Sequence, residues 1–96
     1  ITVPSAFLVP TGQAHWHVLL RARAIESQAF VLAPAQGGKH SGQRETFGHS
    51  LAIDPWGTVL LDAGAVGVHL VTLDPERLQL VRSQIPMAAH RRLGRA

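Results

Sequence analysis

The sequence has no cysteine, no tyrosine, a single lysine and few charges of either sign. Without cysteine, this chain holds no disulfide, no thiolate zinc site and no thiol nucleophile of its own. Aromatic residues make up only 5% of it, too few to offer a run of stacking platforms for single-stranded nucleic acid. The net charge is +3, and the basic excess gathers late, in Arg82, Arg91, Arg92 and Arg95, far along the chain from both tryptophans. That pattern reads as a solvated basic C-terminus and not as a nucleic-acid face. No apolar run is long enough to cross a bilayer, and no charged-apolar-cleavage pattern marks a signal peptide. The expectation is a cytoplasmic protein with no membrane contact. Charged residues reach only 16%, against roughly 25% in ordinary soluble domains. So few charges on so small a chain imply that part of its surface meets other protein.

Ninety-six residues bound one domain at most, at the small end for a self-sufficient core. The chain opens on apolar Ile1-Thr2-Val3 with no initiator methionine, and the expectation is that it begins inside a larger domain.

Breakers divide the chain into short elements. Ile1 to Val3 reads as a strand end stopped by Pro4, with a loop over residues 4 to 13. A helix follows over residues 14 to 28, "AHWHVLLRARAIESQ". Ala29 to Ala35 is an apolar run suited to a strand buried on both faces, ended by Pro34. Residues 36 to 47 read as a polar, Gly-rich loop. "DPWG", Asp54 to Gly57, has the residues of a type I turn, so residues 49 to 53 and 58 to 61 form a hairpin. Val68 to Leu73 alternates as a further strand. Asp74, Pro75 and Glu76 then open a second helix with the apolar stripe Leu78, Val81 and Ile85, closed by Pro86. Residues 1–86 form the domain part and residues 87–96 a tail. The order is α/β, and two helices cannot cover both faces of a five-stranded sheet, so a layer is missing.

Motifs that carry chemistry are weak. His15 and His17 lie two apart, on opposite sides of a helix, and cannot share a metal ion. His40, His49, His69 and His90 stand singly in loops and strands, and the expectation is no metal and no cofactor. "GHSLA", Gly48 to Ala52, nearly matches a nucleophile elbow, but a β-turn follows where a helix is required, so Ser50 reads as a strand-edge residue bonded to backbone. "GGKH" lacks the spacing of a phosphate loop. Asp54 and Asp74 are a turn and a cap, while Glu45 and Asp62 fall in turn or loop. Glu26 sits in the last helical turn, where the helix dipole disfavours it, and Arg23 three residues back is its expected ion-pair partner.

The 14–28 helix has two apolar patches. Ala14, Val18, Ala22 and Ile25 form one stripe, Trp16 and Leu20 lie near the opposite side, and Leu19 falls between. A helix on the edge of one domain has a single apolar face. This one packs on its own sheet with one side and on another helix, or another subunit, with the other.

These residues resemble a known family. "PSAF…PTGQAHWHVLLRARAIESQAFVLAPAQ", "GHSLAIDPWGTVL", "LDPERLQLVRSQIP" and "HRR", in that order, look like the C-terminal part of the nitrilase superfamily of carbon–nitrogen hydrolases. The nearest likeness is to the small-amidase branch that includes omega-amidase and deaminated glutathione amidase. The resemblance implies the C-terminal half of an α-β-β-α sandwich, extended across a subunit interface by the 14–28 helix and the C-terminal tail, hence a homo-oligomer. It implies thiol-dependent hydrolysis of the amide C–N bond of a small carboxylic acid amide, using a Cys nucleophile, a Glu base and a Lys that stabilises the tetrahedral intermediate. Those three residues lie upstream of the matched region, so no catalytic residue is carried over and the chain alone is expected to be inactive. What is carried over is pocket wall: Ser5, Ala6 and Phe7, with Thr11, His15 and Trp16 as weaker candidates. Two positions depart from many relatives, His17 standing where they have Glu and Ser27 where they have Asn.

A reading of another class is a non-catalytic module that dimerises through residues 14 to 28 and unfolds cooperatively by itself. A nucleic-acid reading through Arg91, Arg92 and Arg95 requires binding that weakens steeply with salt.

Overall fold

The computed structural model describes residues 1–94. The first helix starts five residues earlier than the sequence implies. A short turn α1 (Val9–Thr11) opens at Pro10, passes through a π-helical segment (Gly12–Trp16) and continues as α2 (His17–Ser27). The proline suits the first helical turn, where its missing N–H has no partner to lose, and this overrides its role as a breaker. The wider π turn lets Gly12 lie against Phe47, where an added Cβ would stand 2.3 Å from the Phe47 Cβ.

From Trp16 on, one of the two apolar sides packs on the sheet as the spacing implies. Trp16, Leu20 and Ala24 are buried against Val31, Ala33, Leu51 and Ile53 and form the core with them. Val18 and Ile25, on the other side, are 61% and 47% exposed.

The helix packs on a three-stranded antiparallel sheet with order β1-β4-β5: β1 (Val31–Ala33), β4 (Ser50–Ile53) and β5 (Val59–Ala63). Central β4 is buried on both faces from Leu51 to Ile53. Residues 1 to 5 run beside the free edge of β1. Leu32 N–H donates to the Ile1 carbonyl at 2.8 Å, and Val3 N–H to the Leu32 carbonyl at 3.0 Å.

The hairpin turns where "DPWG" places it. Buried Asp54 accepts from the N–H groups of Trp56 and Thr58 at 2.9 Å each, and Gly57 takes a φ of 92°. The remaining Asp54 oxygen accepts from Arg77 Nε at 3.2 Å, and Arg21 Nε donates to the Gly57 carbonyl at 2.7 Å. The turn is thereby tied to α2 and to α3 (Pro75–Gln84). Helix α3 begins as expected, the Asp74 carboxylate capping the Glu76 N–H at 2.9 Å. At the far end of α2, Gln28 caps in the left-handed region. It is held there because its side chain donates to the Ile85 carbonyl at 2.7 Å while Arg82 Nε donates to its own carbonyl at 3.0 Å.

Three expectations are corrected. Residues 36 to 47 are not a simple loop: β2 (Gly37–Lys39) and β3 (Glu45–Phe47) form a separate two-stranded sheet, its turn made possible by Gly42 at a φ of 73°, which alternation does not score. Residues 68 to 73 form no strand, because no neighbour among the described residues offers them an edge; Val68 and Leu70 are each 93% exposed. The tail is partly helical, with α4 at Met87–His90, Pro86 having allowed a new start and not only a stop. Arg95, part of the basic cluster, lies outside the described residues.

Candidate functional site

The six residues proposed as pocket wall do not share one surface. Ser5 and Ala6 line an open hollow with Pro4, Pro34, Ala35 and Gln36. Phe7 is half-buried and packs on Trp16, ring centroids 5.1 Å apart. Trp16 is 1% exposed and belongs to the core. Thr11 and His15 are exposed, and the Thr11 hydroxyl donates to the Leu8 carbonyl at 3.1 Å. Arg23 and Glu26 pair as their spacing implies, but both are more than half exposed, so the pair lies at the surface and contributes at most about 1 kcal/mol.

A different group of residues converges. His17 opens α2, His49 precedes β4 and Asp62 lies on β5. The Asp62 carboxylate accepts from both rings, Oδ2 from His17 Nε2 and Oδ1 from His49 Nδ1, each at 2.7 Å. Spacing along the chain sets His17 beside His15 alone and Asp62 in a turn, and it does not reveal this cluster of residues distant in sequence. One signal was available. Extending the hairpin register two residues past Leu61 carries β5 to Ala63 and sets Asp62 opposite Leu51, beside the strand end where His49 sits.

The local backbone explains why His49 is so well placed. It has a φ of 59°, in the left-handed region that follows Gly48, itself at 71°. That conformation turns its carbonyl toward the end of the π-helical segment, where Trp16 Nε1 donates to it at 2.7 Å. Phe47 stacks on the His49 ring at 4.3 Å and meets the His17 ring edge-on at 6.0 Å. Gly12 leaves room for that phenyl ring. Partial burial pushes the Asp62 carboxyl up, but the hydrogen bonds and charges of His17 and His49 outweigh it, and the net effect holds it below its ordinary value.

The cluster flanks a hollow lined by Phe47, Gly48, His49 and Ser50 on one side and by Ala63 to Gly67 on the other. Ser50 does not face it as a nucleophile. Its hydroxyl donates to the Ala35 carbonyl at 3.3 Å and accepts from the Ala35 N–H at 2.9 Å, the strand-edge role its context implies.

Comparison with known proteins sets this geometry in context. The sequence profile described as carbon-nitrogen hydrolase matches residues 3–83. A protein of Synechocystis named deaminated glutathione amidase is 51% identical over 90 residues, which are 93% of this chain and 33% of that protein. Among solved structures, the NitFhit protein of C. elegans superposes with a TM-score of 0.78 at 40% identity, over 95% of this chain and 23% of that one. Saccharomyces cerevisiae Nit3, described as a member of branch 10 of the nitrilase superfamily, gives 0.81 at 32% identity over 96% of this chain and 35% of that one. The chain thus spans about a third of the length of the curated relatives it matches. These matches cover a third of the relatives without placing it at their C-terminal end, where the sequence expectation has it.

Proposed function

The chain belongs to the carbon–nitrogen hydrolase family, with its likeness in the omega-amidase branch, and from that premise we propose that it is one portion of an amidase that cleaves the C–N bond of a small carboxylic acid amide. The observation that carries this reading is the 51% identity, sustained over 93% of the chain, to a protein named as an amidase. The thiol that the family chemistry requires is absent from these 96 residues. The nucleophile therefore belongs to sequence outside this chain, the family resemblance puts the base and oxyanion stabiliser there too, and the chain contributes scaffold and the hollows beside residues 5 to 6 and 47 to 50.

Surfaces left uncovered support this reading. Val66, Val68 and Leu70 are almost fully exposed in an irregular segment, and burying each is worth about 1.5–3 kcal/mol. The outer side of α2 also borders an apolar hollow lined by Ile25, Pro55, Trp56, Val81, Ile85 and Met87. We assign that face to a second copy of the protein, meeting it through residues 14–28 and the segment after Pro86. No helix of the described residues is long and apolar enough to cross a membrane.

The test is ammonia release from omega-amides of small dicarboxylic acids. The 96-residue chain alone is expected to give none above background. Turnover by the isolated chain would overturn the claim that the catalytic groups lie elsewhere.

A further inference from the structure

We propose that His17, His49 and Asp62 form a binding site for a divalent transition-metal ion of the Zn²⁺ class, joining α2 to the β4–β5 hairpin. Each offers one ligand atom, an imidazole nitrogen or a carboxylate oxygen, and the three atoms lie within 4.8 Å of one another; His17 Nε2 and His49 Nδ1 are the nitrogens that face Asp62. An ion about 2.0–2.1 Å from its nitrogens spaces tetrahedral ligands roughly 3.3 Å apart. To hold one ion the two 2.7 Å gaps to Asp62 open slightly, and the two nitrogens, within 4.8 Å of each other, close to that spacing.

The donor set selects the ion. Two imidazole nitrogens and one carboxylate suit zinc and its neighbours, whereas Ca²⁺ and Mg²⁺ take oxygen ligands. Each of the three side chains is a little over a third exposed, so an ion has access and a fourth position stays open to water. The rings are also held in place before any ion arrives. Their centroids are 5.6 Å apart, and Phe47 contacts both.

In the hydrogen-bonded arrangement Asp62 accepts a proton-bearing nitrogen from each ring. For a neutral ring, metal binding moves that proton to the other ring nitrogen, so His17 carries it on Nδ1 and His49 on Nε2. No proton is lost from either neutral ring, and the ion replaces the two hydrogen bonds. Because the three ligands come from separate elements, an occupied site staples them together and stabilises the folded chain.

The experiment is titration of the chelator-treated 96-residue chain with Zn²⁺ against a chromophoric chelator. The expected result is one ion per chain. The affinity falls at least tenfold in His17→Gln, His49→Ala and Asp62→Asn, stays unchanged in His15→Ala and His69→Ala, and shows no competition from Mg²⁺. Loss of an interaction by misfolding is separated by imidazole ¹⁵N shifts on the unmutated chain, where His17 Nε2 and His49 Nδ1 move to metal-bound values while His15 and His69 do not. The proposal is overturned by absence of saturable Zn²⁺ binding, by binding that survives all three ligand substitutions, or by metal-dependent shifts confined to other histidines.

Discussion

Trp16 and His49 are joined by a hydrogen bond of 2.7 Å from the indole Nε1 to a backbone carbonyl, across 33 residues of sequence. One side chain thereby fills the core beneath α2 and also fixes the strained backbone that aims His49 at Asp62. Folding and site geometry share this single contact.

Trp16→Phe keeps most of the ring volume and removes the donor. The His49 carbonyl loses its indole partner, at a cost of about 1–3 kcal/mol. Trp16→Ala adds a cavity and costs about 3–5 kcal/mol. Urea unfolding midpoints measure both, most directly in a chimaeric enzyme in which this chain replaces the matching segment of the Synechocystis relative.

Gly12→Ala drives a Cβ into Phe47 at 2.3 Å, where rigid side-chain atoms near the backbone cannot move aside cheaply. The expected destabilisation is about 1–3 kcal/mol, with disturbance of the Phe47–His49 stack. Gly64→Ala meets open space and serves as the control, with no comparable loss. Melting temperatures compare the two, and equal effects would contradict the packing argument.

How much of this was legible in sequence differs element by element. The "DPWG" turn, the Asp74 cap and the two-sided helix were readable because each rests on local geometry, a side chain bonding backbone a few residues away or a fixed angular period. The Ser50 role followed from its strand context. The His17–Asp62–His49 cluster was not legible, since it depends on how far the hairpin register runs and on a left-handed residue that is not glycine. Nor was the π turn, which follows from Gly12 meeting Phe47 across 35 positions. The pocket-wall residues came from resemblance alone, and in this chain Trp16 is core.

Asp54→Ala removes three hydrogen bonds at once, those to Trp56, Thr58 and Arg77. The expected loss is about 1–3 kcal/mol, since the Trp56 and Thr58 N–H groups lose their acceptor, while Arg77 remains in reach of water. Asp54→Asn keeps one acceptor for the turn and is expected to lose less. The same denaturation experiment ranks the two, and an Asn variant as damaged as the Ala variant would contradict the role given to the turn acceptor.

Asp62 carries a pH dependence of definite sign. Its carboxyl is held below its ordinary value in the folded chain, so the unfolded chain binds a proton more readily. Its contribution to stability is full above the ordinary carboxylate value and disappears as pH falls through the lowered one. Carboxyl ¹³C shifts in metal-free buffer are expected to give a depressed midpoint for Asp62 that rises toward the ordinary value in His49→Ala. An unchanged midpoint in that variant would contradict the pairing.

In the proposed reading these residues are a working portion of an amidase whose reactive groups lie elsewhere. The most direct measurement is ammonia release by the chimaera from an omega-amide of a small dicarboxylic acid. Turnover is expected from the chimaera and none from the 96-residue chain alone. A folded chimaera that retains its thiol nucleophile yet releases no ammonia would contradict it.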